Sequence, residues 1–169
     1  GLRAADPQVE TAMQMLLNWD FVLDKDSVEA GIYVAFERQL LDNIEALKVP
    51  DIASSYLNVG MKTTIDMLLA PDGDFGVDPL QGRDEFLLNT LAEGVATLRE
   101  KLGPNIENCV YGQVDYKHVL IRHPLSAAVS NEVREQLDVG PLPRGGNGFT
   151  LGNTGSGDNQ TSGASFRIF

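Results

Sequence analysis

The sequence predicts an α+β chain, helical over its first two-thirds and strand-rich after that. Three observations carry this. Apolar residues recur at helical spacing in several capped segments up to Leu102. The Gly103-Pro104 pair then closes the helical part. Beyond it, apolar residues fall in short runs of strand-forming composition broken by Gly, Pro and Asn. The expected division is a mostly helical segment, 1–104, followed by a strand-rich segment, 105–169.

Each element has its own local reason. Asp6-Pro7 starts a helix, because Asp caps the free N–H groups and Pro loses nothing at the first helical position. Val9, Met13, Leu16 and Leu17 follow at helical spacing. Asp26 with Glu29 three residues on can cap reciprocally a long helix whose stripe is Ile32, Phe36, Leu40, Ile44 and Leu47. Pro50 stops it. A shorter helix carries Ile65, Leu68 and Leu69. Another runs from about Arg83 to Leu102, with Leu87, Leu88, Leu91, Val95, Leu98 and Leu102 on one face. Strands are expected at Val110-Tyr111, Val119–Ile121, Leu137–Val139, Phe149–Leu151 and Phe166–Phe169. No internal repeat is visible. Gly1 stands where a natural start would carry Met, which suggests a processed, trimmed or cloned end. Phe166–Phe169 reads as a strand interrupted rather than a polar tail.

The chain has 169 residues, long enough for one core that buries roughly two-thirds of the unfolded surface. Thirteen basic against 24 acidic residues leave a formal charge of −11, which would repel nucleic acid and an anionic membrane alike. One cysteine, Cys109, excludes an internal disulfide and a cysteine-based zinc site. No apolar run approaches the roughly 18 residues of a membrane span.

Candidate chemistry is sparse. Asp72, Asp74 and Asp78 suggest calcium, but an EF-hand loop counted from Asp72 would put Gly76, Val77 and Arg83 where it needs an oxygen ligand, Gly and Glu. Turn and cap roles fit them better. His118 and His123 are five apart and would face opposite sides of a regular strand, so a shared metal is disfavoured. His123-Pro124 reads as a strand end. Cys109 beside either histidine could make a nucleophile pair, yet a lone Cys in an apolar run is more often a buried hydrophobe. Asn159-Gln160-Thr161 fits a glycosylation sequon, a weak pattern.

The Gly-rich stretch from Pro141 to Gly157 fails both phosphate-binding tests. No Gly in it is followed by Lys and then Ser or Thr, and a dinucleotide pattern counted from Gly146 meets Leu151 where its last Gly should stand. Asn147-Gly148 instead predicts a type I′ hairpin turn, with φ > 0 at both residues.

Five segments, in order, resemble the C-terminal part of the β-chain in the penicillin amidase (penicillin acylase) family. They are Leu16–Leu40, Gly82–Pro104, Tyr111–Ser126, Gly140–Gly155 and Gly163–Phe169. The resemblance implies strands that belong to the αββα sandwich of an N-terminal-nucleophile hydrolase, with the whole chain one partial domain of a larger enzyme. It implies a precursor cut into α- and β-chains, whose freed N-terminal Ser attacks an amide carbonyl with its own α-amino group as base. An Asn side chain and backbone N–H groups would hold the oxyanion. None of those residues lies in the matched segments, so no catalytic, cofactor-binding or metal-binding residue is expected here, and no cofactor. The expected partners are the rest of the β-chain and the α-chain, with a small-molecule amide as the substrate of the parent. The expected location is periplasmic or secreted. Self-association through an unpaired strand edge is expected of the isolated piece. The alternative is a stand-alone, non-catalytic binding domain.

Overall fold

The computed structural model describes residues 3–54, 56–150 and 158–162. Among them are five α-helices and a two-stranded antiparallel sheet near the C-terminal end, an α+β arrangement. Helix α1 spans Pro7–Leu17, α2 Val28–Lys48, α3 Met61–Leu69 and α4 Pro79–Leu102. Strand β1 (His118–Ile121), helix α5 (Asn131–Leu137) and strand β2 (Val139–Pro143) follow. No helix among the described residues is long and apolar enough to cross a membrane.

The starts of α1, α2 and α4 obey capping chemistry, with two corrections. Asp6 accepts from the Gln8 N–H at 2.8 Å, with Pro7 at the first helical position. Helix α2 is capped by Ser27 rather than Asp26: Ser27 Oγ accepts from Ala30 N–H at 2.9 Å and donates to Glu29 Oε2 at 2.9 Å. Asp26 pairs instead with Lys25. Helix α4 starts four residues before the expected Arg83, because Asp78 caps Gln81 N–H at 3.1 Å and Pro79 takes the first position.

Helices α2 and α4 pack along their length, with α1 across both. Ile32, Leu91, Val95 and Leu98 join Ile106, Cys109, Tyr111 and Tyr116 in one buried cluster, so the segments before and after Pro104 share a core. A second cluster of Leu40, Ile44 and Phe75 closes the far end. Gly94 lets α4 approach α2, since a Cβ there would come within 3.2 Å of the Phe36 backbone nitrogen.

The strand-rich half departs from expectation. Val119–Ile121 lies in β1 and Val139 opens β2, the two running antiparallel with His118 opposite Pro143 and Val119 opposite Leu142. Val110-Tyr111 is not a strand. Tyr111 N–H donates to Ser27 C=O at 3.0 Å, and Gly112 N–H to Lys25 C=O at 2.6 Å, so the loop before α2 satisfies that backbone. Leu137 ends α5, and Phe149 lies in a turn. Leu151 and Phe166–Phe169 lie outside the described residues. Helix α5 escapes the apolar-period argument because none of its residues is buried. Its signal is Ser130 before a run of helix formers.

Candidate functional site

On one side of α2 a cavity of about 400 Å³ opens, lined by aromatic and apolar side chains with Glu37, Asn147 and Thr150 among them. Four elements build it. The first is the loop after α1. Asp20 Oδ1 accepts from Val22 N–H at 2.9 Å, and Phe21 adopts φ 63°, a left-handed conformation that a bulky residue rarely takes. The turn throws the Phe21 ring outward, 81% exposed, and seats it 5.7 Å from the Trp19 ring. Trp19 in turn lies 5.1 Å from Tyr33 on α2. Helix α3 adds Met61 and Ile65.

The fourth element is the turn at Asn147–Thr150, and it corrects the hairpin reading. Thr150 N–H donates to Asn147 C=O at 3.2 Å, and Asn147 Oδ1 accepts from Phe149 N–H at 3.0 Å. A tight turn is present, but the left-handed residue is Gly146, at φ 77°, and not Gly148. The glycines serve close approach rather than a hairpin. Gly146 N–H donates to Leu23 C=O at 2.9 Å, and a Cβ on Gly145 would lie 2.3 Å from that same oxygen. Tyr111 fastens the strip from below, its hydroxyl donating to Gly146 C=O at 2.5 Å. Burial pushes the Tyr111 phenol up to about 12, so it stays a donor at neutral pH.

Glu37 sits at the base of the cavity, buried at 6% exposure. Asn147 Nδ2 donates to its Oε2 at 3.1 Å. Burial pushes the Glu37 carboxyl above the usual range, while the Tyr33 hydroxyl, the Asn147 amide and the Arg38 charge draw it back. The same burial, with the Glu37 charge alongside, raises the Tyr33 phenol. Beside this site, Asp158 pairs with both Arg38 of α2 and Lys101 of α4. Burial opposes its charge, but those two cations win and hold it below the usual carboxylate range. Lys117, itself buried, is lowered by desolvation and by Arg38 and Arg144.

The residues singled out from sequence lie elsewhere. Asp72 accepts from Asp74 N–H at 3.0 Å, Asp78 caps α4, and Asp74 pairs with Lys48. Among the described residues no three His, Cys, Asp or Glu side chains gather as a metal would require. His118 is buried in β1, whereas His123 lies beyond the strand end, its Nδ1 accepting from Leu125 N–H at 3.1 Å. Cys109 is wholly buried with its Sγ 3.6 Å from Asn105 C=O, and burial pushes the thiol up. The sequon is built into the sheet: Gln160 N–H donates to His118 C=O at 3.0 Å, and Gln160 C=O accepts from Leu120 N–H at 2.9 Å. Sequence reasoning missed Glu37, Trp19 and Asn147 as a group.

A fold of this class, with a buried core shared between the helices and the segment that leads into the sheet, carries the pattern of a known hydrolase family along its whole length. The model of the penicillin amidase family matches residues 2–169, and the chain belongs to that family. A search of curated proteins returned no match.

Proposed function

We propose that this chain is the C-terminal part of the β-chain of a penicillin amidase-type amidohydrolase, a structural portion that lacks the nucleophile. The parent hydrolyses the amide between an acyl side chain and an amine, of the β-lactam or acyl-homoserine lactone type, in the periplasm or outside the cell. The observation that carries this reading is the family match over residues 2–169. It is supported by the state of Cys109, the sole cysteine, whose thiol is buried and held protonated, unlike an attacking group. The exposure of β2 supports it too. Val139 and Leu142 are 47% and 52% exposed there, as expected of a strand that meets further chain of the same enzyme.

The test compares the purified chain with the product of its complete open reading frame, on penicillin G and on an acyl-homoserine lactone. The chain alone shows no turnover, and the complete product cleaves itself upstream and turns over at least one substrate. Turnover by the chain alone that vanishes in Cys109→Ser would overturn the proposal. A complete product with no self-cleavage junction and no activity would leave the stand-alone binding domain instead.

A further inference from the structure

We propose that the cavity between Trp19, Phe21, Tyr33 and Phe149, with the Glu37 carboxylate at its base, binds an organic ammonium group. This goes beyond amide hydrolysis and does not depend on where the nucleophile lies. Three observations converge on a cation. Glu37 is only 6% exposed, yet its side-chain hydrogen-bond partners within the site are both neutral, the Asn147 Nδ2 amide at 3.1 Å and the Tyr33 hydroxyl. Among the described residues it forms no salt bridge, and the guanidinium of neighbouring Arg38 pairs with Asp158. A carboxylate has about four lone-pair sites, so the base of the cavity retains unused acceptor capacity.

The walls are the second observation. Trp19 and Tyr33 have ring centroids 5.1 Å apart, Trp19 and Phe21 5.7 Å, and Phe149, 72% exposed, lines the same cavity. Aromatic faces carry negative potential and attract an ammonium within about 6 Å of the ring centroid. A neutral apolar guest would fill the walls and leave a buried carboxylate uncompensated, while an anion would be repelled by both. The third is Phe21 itself. Its left-handed backbone, φ 63°, holds the ring at the cavity rim, and strain of this kind gathers at ligand-binding positions. The net charge of −11 adds long-range attraction for any cation.

The volume of about 400 Å³ takes a small head group such as trimethylammonium or a primary alkylammonium. The source is either a free amine or a lysine side chain presented by a protein, and the chemistry read by the site is the same.

The chain contains one tryptophan, Trp19, and it lines the cavity, so its fluorescence reports occupancy directly. Choline, n-butylammonium and the neutral dimethylbutanol isostere of choline are titrated against the full chain at constant ionic strength set with sodium chloride. Saturable change with both ammonium compounds, and at least about tenfold weaker binding of the neutral isostere, is expected from a desolvated charge pair. Glu37→Gln weakens choline about tenfold and leaves the isostere unchanged. Phe21→Gly removes one wall while placing at φ 63° the residue that accepts it, so it keeps the fold and still weakens choline severalfold. A lysine amide capped at its α-amine separates the sources. Tighter binding than n-butylammonium indicates a protein lysine, equal binding a free amine, and either supports the site. Equal binding of choline and its isostere, unchanged choline affinity in Glu37→Gln, or no saturable response up to about 50 mM choline overturns the proposal.

Discussion

Replacing Gly31 with alanine sets two effects of known sign against each other at the seam between the helices and the strand-rich half. In an exposed helix the change would stabilise α2 by about 1 kcal/mol, because glycine loses the most backbone freedom on folding. Gly31 is buried, however, and its environment leaves no room. A Cβ there would stand 3.0 Å from the Cys109 carbonyl oxygen and 3.1 Å from Tyr116 Cε1, with Tyr111 Cα at 3.5 Å. Neither close neighbour can yield freely. Cys109 is wholly buried and its N–H donates to Ile106 C=O at 3.0 Å. The Tyr116 ring is pinned by its own hydroxyl, which donates to Gly31 C=O at 2.8 Å, and by edge-on contact with Tyr111 at 5.1 Å. Overpacking a rigid site by one methyl costs about 2–3 kcal/mol, so the net loss is about 1–2 kcal/mol. For a chain of this length that lowers the melting temperature by about 3–6 °C. The assay is urea denaturation followed by far-UV circular dichroism, with Gly148→Ala as the internal comparison. Gly148 has no heavy atom within 4 Å of a new Cβ and is not among the left-handed glycines, so its change stays within about 0.5 kcal/mol. A midpoint for Gly31→Ala at or above the parent value would refute the claim that contact with the 109–116 loop decides this position.

Two further outcomes follow from charge. Burial raises the Glu37 carboxyl above its reference of 4.5, so the folded state binds that proton more tightly than the unfolded chain. Its contribution to stability is therefore lost as pH rises from about 4.5 through the higher folded value, and Glu37→Gln should gain relative to the parent over that rise. Denaturation midpoints across that range check it, and a variant that loses ground toward neutrality would contradict the sign. Asp158→Asn leaves Arg38 and Lys101 without their shared counter-ion and should cost about 1–2 kcal/mol, between the values for exposed and buried pairs. Because the Asp158 carboxyl is held low, its contribution is complete above its reference of 3.8 and fades as pH falls through the lower folded value. Equal midpoints for parent and variant at neutral pH would show that the pairs do not join α2 to α4.

Elements governed by local rules were legible. Asp6-Pro7 starts α1 as written, and the α2 stripe of Ile32, Leu40 and Ile44 is buried at 1%, 7% and 0%. Leu47, at the last turn of the same stripe, is 39% exposed, because periodicity reports a face and not how far the neighbouring element extends. The strand-rich half was less legible. Val110-Tyr111 has strand composition, but Tyr111 N–H and the next residue's, Gly112 N–H, bond Ser27 and Lys25 carbonyls more than eighty residues earlier, and no local pattern names a loop as the acceptor.

By itself the sequence determined the α+β class, the helix faces, the kinship to the penicillin amidase family and a strongly acidic surface field, because capping, period and charge are properties of neighbouring residues. Only the tertiary structure decided what the Gly-rich strip is for and where the polar chemistry collects. Gly145 and Gly146 are required by the Leu23 carbonyl against which they lie, not by the turn that Asn147-Gly148 advertises. Glu37 reads locally as one more acid on a long helix. It becomes the base of a cavity because Asn147, 110 residues away, and the Trp19–Phe21 loop fold over it and exclude water. Burial and convergence depend on long-range packing, and a linear pattern does not record which distant residues will meet.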